Sequence, residues 1–137
     1  MTPTQVDLFA SALHFHQDGE VRADERQMTG SASGAWQIGV FHVETDADVH
    51  ADHWEMHPHA EEAVCCLTGG VRLYLRPVEG EDAENAEAAD ELVRLTAGTA
   101  VIVPRGRWHR LELEGPSDLM SVTLRQGTRL EKRAGTT

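Results

Sequence analysis

Much that would narrow the function of this 137-residue chain is scarce in it. Basic side chains number 12 against 23 acidic ones, a formal charge of −11. Affinity for nucleic acid rests largely on Lys and Arg neutralising phosphates, so this balance excludes a nucleic-acid partner from the expected function. No apolar run approaches the ~20 residues that a membrane helix needs, and none is expected to enter a membrane. The opening MTPTQVDLFA lacks the basic region and apolar core of a signal peptide, which predicts a cytoplasmic protein. Cysteine occurs only as Cys65 and Cys66. Neighbours on a strand point to opposite faces, so no disulfide is expected between them, in keeping with a reducing compartment. There is no Ser/His/Asp or reactive-cysteine arrangement and no glycine loop of the kind that cradles phosphate.

Helical periodicity is nearly absent as well, and what replaces it is β grammar. The length fits one domain with a core of useful size. We divide it into an N-terminal arm or edge strand over 1–34, a barrel over 35–125 and a C-terminal tail over 126–137. Leu8 to Phe15 suggests a short edge strand, QDGEVRADERQ a polar loop, and GSASG a hinge. Strands are predicted at Trp36 to Val43, His53 to His57, Glu62 to Leu67, Val71 to Arg76, Glu91 to Leu95, Ala100 to Val103, Trp108 to Glu114 and Leu119 to Leu124. The acidic, alanine-rich stretch from Glu79 to Asp90 reads as a solvated loop, and the basic tail from Arg125 to Arg133 as solvated rather than a binding arm. Many short strands with turn signals mean an all-β sandwich or barrel.

Two stretches carry the chemistry. DHWEMHPHAEEAVCCLTGG, from Asp52 to Gly70, opens with three histidines and three glutamates in eleven residues. GTAVIVPRGRWHRLEL, from Gly98 to Leu113, adds His109 behind a Pro-x-Gly turn. Side chains two apart on a strand share a face, so Glu55 and His57 point the same way, and His53 with them. Glu62 follows the bend at Pro58 on a returning strand, where it shares a face with Val64 and Cys66. A carboxylate and two imidazoles from three strands would form a 2-His-1-carboxylate set, which suits Fe(II) and also Mn, Zn or Ni, and leaves open positions for a small molecule. Pro104 and Gly106 shape the turn that aims His109 inward. His59 belongs to the rim, His42 to the core or the cavity wall, and Trp36, Trp54 and Trp108 to packing.

These residues resemble the two motifs of the cupin superfamily, G-x5-H-x-H-x3,4-E-x6-G and G-x5-P-x-G-x2-H-x3-N. Gly98, Pro104, Gly106 and His109 match the second, with Leu113 in place of its asparagine. In the first, Gly69 and Glu62 match, His57 takes the second histidine position, and Glu55 stands where the first histidine would be. The alternative register pairs His57 with His59 and shortens the bend. Val49 replaces the leading glycine. The resemblance covers residues 35–125, and the Trp-Glu-Met-His-Pro string is similar to small single-domain bacterial cupins. It implies a jelly-roll barrel, a double-stranded β-helix, with one divalent metal (Fe, Mn, Zn or Ni) on His57, Glu62 and His109. Glu55 would be a fourth ligand or a base, and Glu55 or His59 would move protons. The expected activity is a metal-dependent, dioxygenase-like conversion of a small polar substrate. An isomerase or lyase and a non-catalytic sugar or small-molecule binding module are the alternatives. Apolar residues on both faces of the Ala63 to Leu67 strand predict a homodimer.

Overall fold

Side chains that alternate between a buried and an exposed face hold most of the chain in strands. The computed structural model describes residues 2–28, 34–78 and 89–134. The loop expected from Glu79 and the GSASG hinge therefore fall almost wholly outside the described residues. Strands β1 (Ala12–Phe15), β2 (Val21–Asp24), β3 (Trp36–Val43), β5 (Glu62–Thr68), β8 (Thr99–Val103) and β10 (Ser117–Leu124) form one sheet in the order β2-β1-β3-β10-β5-β8. Strands β4 (His53–Met56), β6 (Gly70–Leu75), β7 (Glu91–Thr96), β9 (His109–Leu113) and β11 (Arg129–Lys132) form the other, in the order β11-β4-β9-β6-β7. The pairings are antiparallel, for example along β10 with β3 and β6 with β9. A 3-10 turn at Asp46–Val49 is the one helical element among the described residues. The architecture is the all-β jelly roll.

One stretch expected to be a loop, and part of the tail, form strands. QDGEVRADERQ turns at Gly19, with a φ of +91°, and returns as β2 against β1. The tail supplies β11, which pairs with β4 over Arg129 to Lys132. Both strands are exposed along their length. An edge strand whose two faces meet water shows no apolar alternation, and only its backbone pairing reveals it.

The space between the sheets is divided. Val43, Val64, Cys66, Val71, Leu73, Leu75, Leu95, Val103 and Leu119 pack into one apolar cluster, with Leu73 and Leu119 fully buried. Each such side chain contributes about 1.5–3 kcal/mol by leaving water. Cys66 belongs to this core. Glu62, two residues before Val64 and four before Cys66 on the same inner face of β5, leaves the apolar part and is 3% exposed. The outer faces of the two sheets differ in kind. On the six-stranded sheet, the register lines up Leu13, Ile38, Val122, Ala63 and Ile102 in one row, and Val40, Met120, Cys65 and Ala100 in the next. On the five-stranded sheet, Arg76 and Arg110 lie over Trp54, Arg110 also over Tyr74, and Arg72 and Arg110 pair with Glu112.

Candidate metal centre

Glu55 on β4 sits directly across from His109, the first residue of β9. His57 follows β4 immediately and is 2% exposed, and Glu62 opens β5. The Pro58 bend and the Pro104 turn are tied together. Gly106 N–H donates to the carbonyl of His57 at 2.9 Å, and Gly106 has the positive φ, +78°, that its turn requires. One hydrogen bond thus links the two segments that carry the two histidines.

Glu55, His57, Glu62 and His109 each present one donor atom, and these four atoms lie within 4.8 Å of one another. His57 Nε2 is 2.9 Å from Glu55 Oε1 and 3.1 Å from Glu62 Oε1. His109 Nε2 is 2.9 Å from Glu62 Oε1 and 3.8 Å from Glu55 Oε1. Ligands at ~2.0–2.2 Å from a metal stand about 3.0 Å apart when adjacent in an octahedron and about 3.4 Å apart in a tetrahedron. Three of the four separations, 2.9 to 3.1 Å, match adjacent octahedral ligands, and the His109–Glu55 pair at 3.8 Å is wider.

The ring tautomers make the stronger case. His109 Nδ1 lies 3.0 Å from the Arg107 carbonyl, which can only accept, so Nδ1 carries a hydrogen. In the neutral ring, Nε2 is then a lone pair aimed at a carboxylate, and only a proton or a metal cation between them removes the conflict. His57 Nδ1 is held by Thr128 Oγ1 at 2.8 Å, which leaves its Nε2 facing the same oxygens. This is the arrangement in which a second hydrogen bond fixes a metal-ligating imidazole. The donor set fits a divalent ion.

Without an ion, protons do the same work. Burial alone would push the His109 ring below its ordinary pKa, but hydrogen bonds and charge from Glu55 and Glu62 raise it to about 10. His57 is raised for the same reasons. Burial pushes Glu55 up, and the two imidazoles with Arg125 overcome it and bring the carboxyl down to about 2. Glu62, buried likewise, is held well below the carboxylate range by His109 and His57.

Beside the cluster opens a cavity of about 330 Å³. Phe41, Val64, Leu111 and Leu130 give it apolar walls, and Gln37, Ser121 and Arg125 add polar groups. His53 reaches the wall, paired with Asp52 at 2.9 Å. His59 is exposed in the bend, outside the converged set and off the cavity wall. His42 is neither core nor cavity: half exposed on the outer face, it bridges Glu44 at 2.6 Å and Asp118 at 2.8 Å. Trp54 is buried, whereas Trp36 is 42% exposed on the apolar outer face.

Several supporting residues escaped the sequence analysis. Ser121 donates its hydroxyl to Glu62 Oε2 at 2.5 Å. Arg125, expected in a solvated tail, is 11% exposed, with Nη1 3.2 Å from Glu55 Oε1 and Nη2 3.5 Å from Glu62 Oε2. Leu119, Ser121, Thr123 and Arg125 fall two apart, so the inner face of β10 carried a legible signal that continues to Arg125 just beyond it. Thr128 gave none.

No protein-family model matches the sequence, and no curated protein matches it either. Solved structures do. An oxalate decarboxylase from Bacillus subtilis, described with Mn(II) centres, shares 16% identity over 73% of this chain and 24% of its own, with a TM-score of 0.53. A cupin-2 domain protein from Shewanella frigidimarina shares 18% identity over 72% of this chain and 71% of its own, with a TM-score of 0.45. Hydroquinone 1,2-dioxygenase from Sphingomonas sp. TTNP3 shares 17% over 66% and 60%, with a TM-score of 0.49. The chain spans about a quarter of the decarboxylase's length, the 24% above. The likeness to the decarboxylase, at a TM-score of 0.53, shows a shared fold, and the fold alone.

Proposed function

We propose that this chain is a metal-dependent enzyme, of the dioxygenase kind, acting on a small polar molecule inside the barrel. The observation that carries the reading is the convergence of His57 Nε2, His109 Nε2 and the Glu62 and Glu55 carboxylates, with the far nitrogen of each ring already held by Thr128 or Arg107. His57, His109 and Glu62 hold the ion. When bound, a divalent ion supplies Lewis acidity and, where it is redox-active, electrons for O2 chemistry. Ser121 keeps Glu62 turned toward the rings through its second oxygen. Glu55 is a fourth ligand or the proton carrier. Its 17% exposure on the cavity wall gives it access to a bound molecule, and His59 has none through that wall. The cavity, at the low end of the roughly 300–1,000 Å³ of small-molecule sites, admits a small ligand.

The test is elemental analysis of untagged protein purified without chelator, beside a His57→Ala/His109→Ala double variant. About one equivalent of metal in the parent and none in the variant is expected for a single site with these ligands. Iron, with O2 consumed on adding substrate candidates, supports the dioxygenase. A redox-inert ion with turnover in the absence of O2 replaces it with an isomerase or lyase. No metal in either folded protein refutes the metalloenzyme and leaves a binding module.

The same proposal includes a homodimer, formed by two copies of the outer face of the six-stranded sheet. Ile102 is 68% exposed there and Leu67 41%. The chain carries a charge of −11, yet the rows through Ile38 and Met120 contain no charged residue, so two copies of this face meet without repulsion. A contiguous apolar face of this kind marks an interaction surface. A monomeric mass by light scattering at micromolar concentration counts against it.

A further inference from the structure

Arg125 has no task in holding a metal, and its bonding is incomplete. Buried guanidinium groups are normally paired by short, well-aligned bonds of ~2.7–2.9 Å. On the surface of this protein Arg22 and Arg94 meet their glutamates at 2.8 and 2.6 Å. Arg125, mostly but not fully buried, has only long contacts: Glu55 at 3.2 Å, the Met28 carbonyl at 3.2 Å, Ser121 Oγ at 3.4 Å and Glu62 at 3.5 Å. Its Nε has no partner at all. The Nε atoms of Arg72 and Arg110 are likewise unpartnered, but both of those side chains pair with Glu112, whereas Arg125 lies on the wall of the cavity beside the metal ligands.

We propose that Arg125 is the anion-recognising residue of this cavity, and that the molecule taken there is a monocarboxylic acid with an apolar body. This rests on the metal reading of the same site and names its substrate class. The charge count supports a single negative charge. Glu55 and Glu62 neutralise a divalent ion with neutral imidazoles around it, and Arg125 then leaves one buried positive charge without a counter-ion. An unpaired buried charge is costly, and one carboxylate closes the count. Arg26 adds little, being exposed and lying over Phe41 at 5.3 Å. Asp48, also on the wall, has its Oδ2 occupied by the backbone N–H groups of Glu44 and Thr45. An ion also draws on the Glu55 and Glu62 oxygens that Arg125 now reaches at long range, which frees the guanidinium for a ligand. Phe41, Val64, Leu111 and Leu130 supply the surface for the apolar body.

The probe is benzoate against uncharged benzamide, titrated into cobalt(II)-loaded protein by calorimetry and by the visible cobalt spectrum. The parent is expected to bind benzoate at least tenfold more tightly than benzamide. Arg125→Gln, loaded with cobalt to the same stoichiometry, is expected to lose that preference, and Arg125→Lys to keep part of it. An undiminished preference in Arg125→Gln overturns the assignment, as does a parent that does not distinguish the two probes. Should Arg125→Gln fail to fold, the parent and Arg125→Lys decide: a lysine variant with the full preference overturns the role of the guanidinium fork. A parent that takes up no cobalt sinks the metal reading and this inference together. Uptake without a preference for benzoate sinks only this inference.

Discussion

Replacing Thr128 by valine keeps a branched side chain of the same outline and removes one hydroxyl. That hydroxyl is 2.8 Å from His57 Nδ1 in a buried setting, where the ring is 2% exposed and Thr128 8%. No water reaches the nitrogen to replace it. Leaving a buried polar group unpaired costs about 1–3 kcal/mol, or roughly 5- to 150-fold in an equilibrium constant. The cost falls mainly on the metal-bound state. A free ring can turn to find another partner, whereas a ring fixed by a metal bond cannot. Thr128→Val is therefore expected to weaken zinc(II) binding about 10- to 100-fold, the range typical when such a supporting partner is lost. Competition against a chromophoric chelator measures this directly. Thr128→Ser, which restores the hydroxyl, should return affinity to within about threefold of the parent, and the melting temperature of the metal-free variant checks the fold. Zinc affinity in Thr128→Val within about twofold of the parent would refute the claim that this hydroxyl orients a ligand.

Metal binding should release at least one proton per ion at pH 7, because His109, held up at about 10, must give up its Nε2 proton; calorimetry in buffers of different ionisation enthalpy reads the number. The metal-free protein should be most stable between about pH 4.5 and 6.5. The His109 contribution, raised in the folded state, is full below about 6.5 and fades as pH climbs toward 10; the Glu55 contribution, lowered in the folded state, fades as pH falls from about 4.5 toward 2. Melting temperature against pH with chelator present tests both edges, and a curve that keeps rising to pH 9 contradicts them. At Gly69, φ is +84° and a Cβ would lie 2.3 Å from Ser117 Oγ and 2.5 Å from the Pro116 carbonyl, so Gly69→Ala should cost about 3 kcal/mol or more in urea unfolding. Gly98→Ala, at φ +85° with nothing within 4 Å, should cost only about 1–2 kcal/mol for the backbone conformation. Ile102→Asp, on the most exposed apolar side chain of the outer face, should turn a dimer into a monomer by light scattering without lowering zinc affinity.

Glu55 and His57 are legible as sharing a face, and Glu62 and His109 as inward residues of their own strands, because a period of two is a property of one strand. Their supports depend on which strands are neighbours, and a single strand does not carry that information. Ser121 reaches Glu62 only because β10 pairs with β5 so that Ser121 faces Val64, next but one to Glu62. Thr128 reaches His57 across 71 positions of sequence because the chain turns at Gly127, where φ is +75°, and lays β11 against β4. The expectation of a solvated tail failed there for a physical reason. Polarity reports exposure only when a polar group has no buried partner, and Arg125 and Thr128 both have one. The ligands were legible because metal chemistry needs scarce residue types at fixed spacing. Their supporting partners are residue types common throughout soluble proteins, so composition does not mark them. That difference also predicts where the site can be altered: substitution at His57 or His109 should abolish metal binding, whereas substitution at Ser121 or Thr128 should grade it.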